Sequence, residues 1–318
     1  MIGLNRIPVV AVVGPTASGK SDLAVEICLR FGGEAVSADS MQIYKGLDIS
    51  TAKPTEEEKK GVPHHMMDFL DNTETFSVAE YQKLAGECIR DISSRGKLPV
   101  IVGGTGLYID TLLNNVQLTE ASFDEALREK LLTRVQNEGI EGLLKELEGI
   151  DPEYAAKMHP NNVKRIVRAL EVWYSSGVTM TQQIENSRAE SPYEVLFIGL
   201  DATDRDFLYD RINRRVSVML ENGLEAEARD YLAQKNTSTS SQAIGCKELR
   251  PYFDGDITLQ AAADNLRQAT RRYAKRQLTW FRRNKNINWF MLDSFKERED
   301  LYKAVFDKIT DWERSIMV

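Results

Sequence analysis

The chain has 318 residues, of which 42% are hydrophobic and 28% charged, with a net charge of −7. That length supports a full core, as one large domain with an insert or as two domains, and no apolar run reaches the roughly 20 residues that span a bilayer. Cys28, Cys88 and Cys246 are few, odd in number and far apart, which argues against a disulfide framework or a cysteine metal cluster and predicts a reducing, cytoplasmic setting.

Val9-Val10-Ala11-Val12-Val13 predicts a buried strand over 8–13, and nothing before it has the makeup of a secretory leader. Gly14-Pro15-Thr16-Ala17-Ser18-Gly19-Lys20-Ser21 follows, then a helix carrying Leu23, Ala24, Val25 and Ile27. The spacing G-x-x-x-x-G-K-[ST] between strand and helix is that of a phosphate-binding P-loop. Its glycines let backbone N–H groups converge on a polyphosphate, and the helix N-terminus adds partial positive charge. Lys20 supplies a full charge, and the Ser21 hydroxyl can ligate Mg²⁺. One ligand therefore carries a diphosphate or triphosphate.

Strands over 35–38 and 99–102, with a helix over 77–93 capped by Ser77 and Glu80, continue a strand–helix alternation. Alternation of this kind predicts a parallel sheet flanked by helices, with ligands at the carboxyl ends of the strands. Asp39-Ser40-Met41-Gln42 and Gly103-Gly104-Thr105-Gly106 fall at such ends and are expected to meet the P-loop. Asp39 can then serve as a general base or support a metal; a turn or N-cap Asp is the alternative. The glycine loop either admits substrate close to the backbone, with Thr105 hydrogen-bonding it, or is a plain turn. His64 and His65 are adjacent and point in different directions, which argues against a shared metal site.

From 116 to 194 the strand signal vanishes. Helices are predicted over 123–137, 142–147, 152–158 and 161–175; the last has an apolar face of Val163, Ile166, Val167, Leu170 and Tyr174 opposite Lys164 and Arg168. A strand returns at 195–200, before Asp201. The fold class is α/β: a P-loop core with a mostly parallel sheet over 1–115 and 195–318, a helical insertion domain over 116–194, and a helical C-terminal portion. A helix over 208–221, with Gly223 as C-cap, carries Arg211, Arg214 and Arg215. An arginine there can neutralise a leaving diphosphate, or all three form a solvated face. A helix over 259–282 and a strand over 288–292 follow. Between Arg267 and Lys285 there are eight basic residues and no acidic one. Arg271, Lys275 and Arg282 share one face, with Tyr273 and Trp280 turned inward. That face is either an electrostatic track for a phosphodiester backbone or the solvated side of an amphipathic helix. The acidic total does not exclude nucleic acid, because charge distribution matters more than its sum.

Taken in order, these segments resemble the tRNA dimethylallyltransferases (tRNA isopentenyltransferases) of bacteria. The likeness includes residues 14–21, Asp39-Ser40-Met41-Gln42-Ile43-Tyr44, Thr51-Ala52-Lys53-Pro54 and Val62-Pro63-His64-His65. It continues through Gly103-Gly104-Thr105-Gly106-Leu107-Tyr108, His159-Pro160-Asn161, Arg165, Arg168-Ala169-Leu170-Glu171 and Gln242-Ala243-Ile244-Gly245, and closes on Lys275-Arg276-Gln277-Leu278-Thr279-Trp280-Phe281. The resemblance implies transfer of a prenyl group from dimethylallyl diphosphate to the exocyclic amine of the adenosine 3′ to the anticodon, with Mg²⁺ as cofactor. It implies Asp39 as general base, Thr105 as a holder of the reacting groups, residues 16–21 as the diphosphate grip and Arg211 as the aid to the leaving group. Contacts to the tRNA anticodon stem-loop are implied at Asp39, Ser40, Met41, Gln42, Thr105, Arg128, Arg165, Arg168 and Gln242, and the basic helix adds Arg271 and Lys275. Asn162 and Cys246 depart from the family pattern, which often has Asp at the first position and usually Tyr at the second. No membrane and no obligate protein partner is expected. Two rival readings are a P-loop kinase of a small alcohol or nucleotide, and a nucleotide-gated RNA-binding protein without covalent chemistry.

Overall fold

Six parallel strands form one sheet: β1 (Ile7–Val13), β2 (Gly33–Ser37), β3 (His64–His65), β4 (Leu98–Gly103), β5 (Tyr193–Asp201) and β6 (Ile287–Met291), in the order β3-β2-β4-β1-β5-β6. The computed structural model describes residues 6–116, 124–186, 190–234 and 240–316, without the side chain of Gln242. Val9 to Val13 of β1 are 0% exposed, because a central parallel strand is covered on both faces. On one face lie the helices Val78–Ser94 and Gly106–Leu113, which supply Tyr81, Ile89, Tyr108 and Leu112 to the core. On the other lie Lys20–Phe31 and Arg298–Ile316, with Leu23, Ile27, Leu301 and Val305. The chain leaves β1 for β2 and β3, returns through β4, and passes to β5 on the opposite side of β1. Connections that diverge around β1 leave a crevice at its carboxyl end, and the P-loop sits there.

The chain folds into two compact units, Met1–Leu113 with Ser191–Val318, and Asn114–Glu190. The first also holds a helical portion, in which Ile43, Tyr44 and Leu47 pack with Val216, Met219, Leu224, Tyr231, Leu249 and Leu266. The second is helical, built on Leu131, Leu143, Leu147, Ile166 and Leu170. Inside it Glu171 is buried, with Arg128 Nε and Nη2 donating to its carboxylate at 2.5 and 2.9 Å and Arg168 Nη1 at 3.4 Å.

The expected strands and the long helices are present, and Ser77 and Glu80 form the expected capping box. Gly223 is not a C-cap: the helix Arg205–Glu221 ends at Asn222, and Gly223, at φ 98°, opens the next helix, Leu224–Ala233. The left-handed backbone that marks a stop here joins two helices instead. Tyr174 leaves the apolar face of Val163–Ser176 and is 50% exposed, because its phenol reaches Glu146. The expected helix over 152–158 shortens to Pro152–Ala155, capped by Asp151. Met180–Asn186 is an addition to what the sequence predicts, and Cys246–Phe253 and Arg298–Ile316 are helices within the expected helical C-terminal portion.

Candidate active site

The three strand-end segments converge. Gly14 packs so tightly on β5 that a Cβ there would strike the Leu200 carbonyl oxygen. Ala17 holds a positive φ of 63°, a strained conformation for a residue with a side chain, and Arg211 Nε donates to its carbonyl at 2.7 Å. Lys20 Nζ donates to the Pro15 carbonyl at 2.6 Å. Ser18 is 2% exposed and its hydroxyl has no hydrogen-bond partner among the described residues, an unmet polar group inside an anion cradle.

Asp39 stands two residues beyond β2, and its Oδ1 accepts the Met41 N–H at 2.9 Å, an Asx turn that fixes the carboxylate. Thr105 completes this rim: its N–H donates to the Ala38 carbonyl at 3.1 Å, and its Oγ1 accepts the Ser40 N–H at 3.0 Å. Gln42 is buried, accepting from the Ser37 hydroxyl at 2.9 Å. Gly103 and Gly104 line the cavity described below, and the glycines of this loop also let the protein's own groups approach the backbone. A Cβ at Gly103 would meet the Ala38 backbone, at Gly104 the Gln277 amide and at Gly106 the Trp280 ring. Protein neighbours occupy the space that the missing side chains leave.

Residues 16, 17 and 19–21 of the P-loop, Asp39, Ser40, Met41, Gln42, Gly104 and Arg211 all line one cavity of about 800 Å³. Among the described residues its wall carries eight Lys and Arg side chains against Asp22, Asp39 and Glu58, a local excess of positive charge on an acidic chain. Burial foremost, and Arg215 next, pull the Lys20 amine down to about 7, while Asp39 holds it up. Burial also lowers Arg211, helped by Arg298 and Arg214, and lowers Arg215 against the pull of Asp39 and Glu58. Among the described residues, none of these three cations is matched by a full anionic partner inside the cavity. His64 reaches the cavity wall, with Nδ1 2.9 Å from the Val62 carbonyl oxygen, whereas His65 turns to Glu34 at 2.8 Å.

A family model described as IPP transferase matches residues 42–284, and one described as isopentenyl transferase matches residues 7–75. The chain belongs to the IPP transferase family. It is 48% identical over 304 residues to the tRNA dimethylallyltransferase of Bacillus subtilis, covering 95% of this chain and 96% of that one. The corresponding protein of Caldanaerobacter subterraneus is 46% identical over 305 residues, covering 95% and 97%. Among solved structures, the full-length tRNA isopentenylpyrophosphate transferase of Bacillus halodurans aligns with TM-score 0.72 and 42% identity, covering 98% of this chain and 100% of that one. A eukaryotic dimethylallyltransferase acting on tRNA aligns with TM-score 0.81 and 30% identity, covering 96% and 80%.

The other candidate residues of this family member lie outside the cavity wall. Arg271 is half-buried, donating to Asn213 Oδ1 at 2.8 Å and lying 5.8 Å from the Tyr209 ring centroid. Lys275 is exposed. Arg282, expected on their face, is paired with buried Asp201 at 2.7 Å. In the helical unit Arg165 is exposed, while Arg128 and Arg168 bracket Glu171. Asn162 is the N-cap of Val163–Ser176 without a side-chain cap bond, and Cys246 is buried in the core, where burial pushes its thiol up to about 12. The Gln242 side chain is outside the described residues.

The sequence alone does not single out Gln277 or Glu227, nor give Tyr273 a place at the site. Tyr273 lines the cavity, where burial pushes its phenol well up from its ordinary value. Glu227 accepts from the N–H groups of Asp48, Ile49 and Ser50 at 2.6–2.9 Å, pinning the loop that contributes residues 50–54 to the wall. Gln277 carried a signal: it is a polar residue on the helix face of Ala274 and Phe281, which points inward.

Proposed function

We propose that the following reaction takes place in this cavity. The chain transfers the dimethylallyl group of dimethylallyl diphosphate to the exocyclic amine of the adenosine 3′ to the tRNA anticodon. The C1–O bond to diphosphate breaks, the C1–N bond forms, and the amine proton passes to Asp39. A single observation carries this reading: an anion cradle and a carboxylate at the ends of β1 and β2 share one cavity of about 800 Å³.

The P-loop amides of residues 17–21, Lys20 and Arg211 hold the diphosphate and neutralise the charge it gains on leaving. An arriving diphosphate keeps Lys20 protonated, since a nearby anion favours the charged amine. An exocyclic amine on an aromatic ring is a poor nucleophile, and Asp39 aids it by taking the proton as the bond forms. The Ser40 N–H to Thr105 contact holds the carboxylate loop in place. The adenine must leave its stack to reach this wall, and Ser40, Met41 and Gln42 meet it there. Arg165, Arg271 and Lys275 contact the tRNA backbone. Arg128 and Arg168, part-exposed beside Glu171, reach the tRNA from that pairing.

Ser21, Asp22 and Asp39 bring oxygen donors to the cavity wall. Among the described residues no three His, Cys, Asp or Glu form a metal cage. This donor set fits Mg²⁺, which binds through one or two protein oxygens and substrate phosphates. Mg²⁺ held at Ser21 would offset diphosphate charge. No helix among the described residues is long and apolar enough to cross a membrane, and three free thiols suit a cytoplasmic setting.

Radiolabelled dimethylallyl diphosphate, unmodified tRNA and Mg²⁺ test the reading. Label in the tRNA is the expected result. Phosphate transfer from ATP would support the kinase reading instead, and binding without product would support an RNA-binding protein.

A further inference from the structure

We infer that Gln277 is a positioning residue, a neutral strut that sets the gap between the diphosphate cradle and the proton-accepting rim. The inference deepens the proposed reaction and rests on it. Gln277 is 4% exposed on the helix Leu259–Phe281. Its Oε1 accepts the Thr16 N–H at 2.8 Å, and its Nε2 donates to the Gly104 carbonyl at 3.0 Å. One end of the amide can only accept and the other only donate, so a single orientation satisfies both loops. Gly104 lacks a side chain where that amide lies. One turn further along the helix, Trp280 Nε1 donates to Asp110 at 2.7 Å and its ring covers Gly106. Trp280 thus clamps the helix to residues 106–110, and Gln277 extends the clamp to the P-loop.

The strut is needed because the sheet stops short. The β1–β4 ladder ends at the pair Val13 and Gly103, and both working loops lie beyond it. The reacting carbon is tied to the P-loop through its diphosphate. The reacting nitrogen is placed by the Asp39 and Thr105 rim, which Thr105 N–H joins to Ala38. The distance between carbon and nitrogen is therefore the distance between two loops that Gln277 spans. A displacement of about 1 Å in such a pair costs on the order of 10²-fold in rate. An amide also suits the place electrically: it pairs an N–H and a carbonyl without adding charge between Asp39 and the cations.

The test compares Gln277→Leu, which removes both bonds, with Gln277→Asn, which keeps the amide but is one methylene too short to span. Asn preserves a polar residue if Leu fails to fold. Single-turnover prenyl transfer at saturating substrates is expected to fall about 10–100-fold in each folded variant, with dissociation constants for tRNA and inorganic pyrophosphate within about threefold of the parent. In the parent, pyrophosphate should slow amide hydrogen exchange across residues 103–109; in Gln277→Asn that protection should vanish. Transfer rates within about threefold of the parent, binding losses as large as the rate loss, or protection retained in the variant would each overturn the strut. Failure of the parent itself to label tRNA would defeat the proposed reaction, and the exchange comparison would still decide whether Gln277 links the loops.

Discussion

Lys20 sets function against stability, and replacing it with Met measures the conflict. In the unfolded chain its amine titrates near 10.5, and in the cavity it titrates near 7, driven down first by burial. Below pH 7 folding therefore carries an ammonium out of water at a cost of about 5 kcal/mol, from 1.36 kcal/mol for each pH unit of that gap. Water in the cavity screens part of it, so the figure is a ceiling. Between pH 7 and 10.5 the native amine has lost its proton while the unfolded chain retains one. The unfolded state then binds more protons, and stability rises with pH; by pH 9 about 2 kcal/mol of the cost remains. Lys20→Met removes the cost at every pH. The variant is expected to be more stable than the parent at pH 6, with the margin shrinking by about 3 kcal/mol at pH 9. Equilibrium urea unfolding of both proteins at both pH values reads this directly, provided the slopes match, and other titrating groups cancel in the difference. Calorimetric titration with pyrophosphate should show the variant losing its affinity. A margin that stays flat or widens toward pH 9, or a variant less stable than the parent at pH 6, would refute the buried-ammonium account.

Asp39→Asn is expected to lower single-turnover transfer by about 10²–10⁴-fold with tRNA binding intact; a rate near that of the parent removes Asp39 from the base role. Arg271→Ala should weaken tRNA binding and reduce the salt slope by about 0.7–0.9, and an unchanged slope would assign the residue to its Asn213 and Tyr209 contacts. Glu227→Ala leaves the N–H groups of Asp48, Ile49 and Ser50 without their acceptor. It should cost about 1–3 kcal/mol in urea unfolding and speed hydrogen exchange across 48–50. Arg128→Ala strands buried Glu171 with Arg168 alone at 3.4 Å and should destabilise the helical unit by about 3 kcal/mol, read by limited proteolysis between 124 and 186; Glu171→Leu added to it should restore resistance.

The cradle was legible in the sequence because a P-loop is local: strand, glycines, lysine and helix cap lie within 25 residues of contiguous chain and act through backbone geometry. Strand alternation located the loops after β2 and β4, since a parallel sheet gathers its ligands at one edge. Glycines 103, 104 and 106 left two readings open, because a missing side chain reads the same whether substrate or protein fills the gap. The basic helix was legible as a face, but the partners of its residues were not. Periodicity put Arg271, Lys275 and Arg282 on one face, yet Asp201 claims Arg282 and Asn213 engages Arg271.

The sequence by itself determined the ligand class, the sheet and the stretches of chain that come to the site. Only the tertiary structure decided which side chains meet there. Thr16 finds Gln277 261 residues away, and Ala17 finds Arg211 at a distance of 194. Local patterns record how a segment curls and which face it buries, but a hydrogen-bond partner is chosen by packing, and packing exists only after distant segments have met.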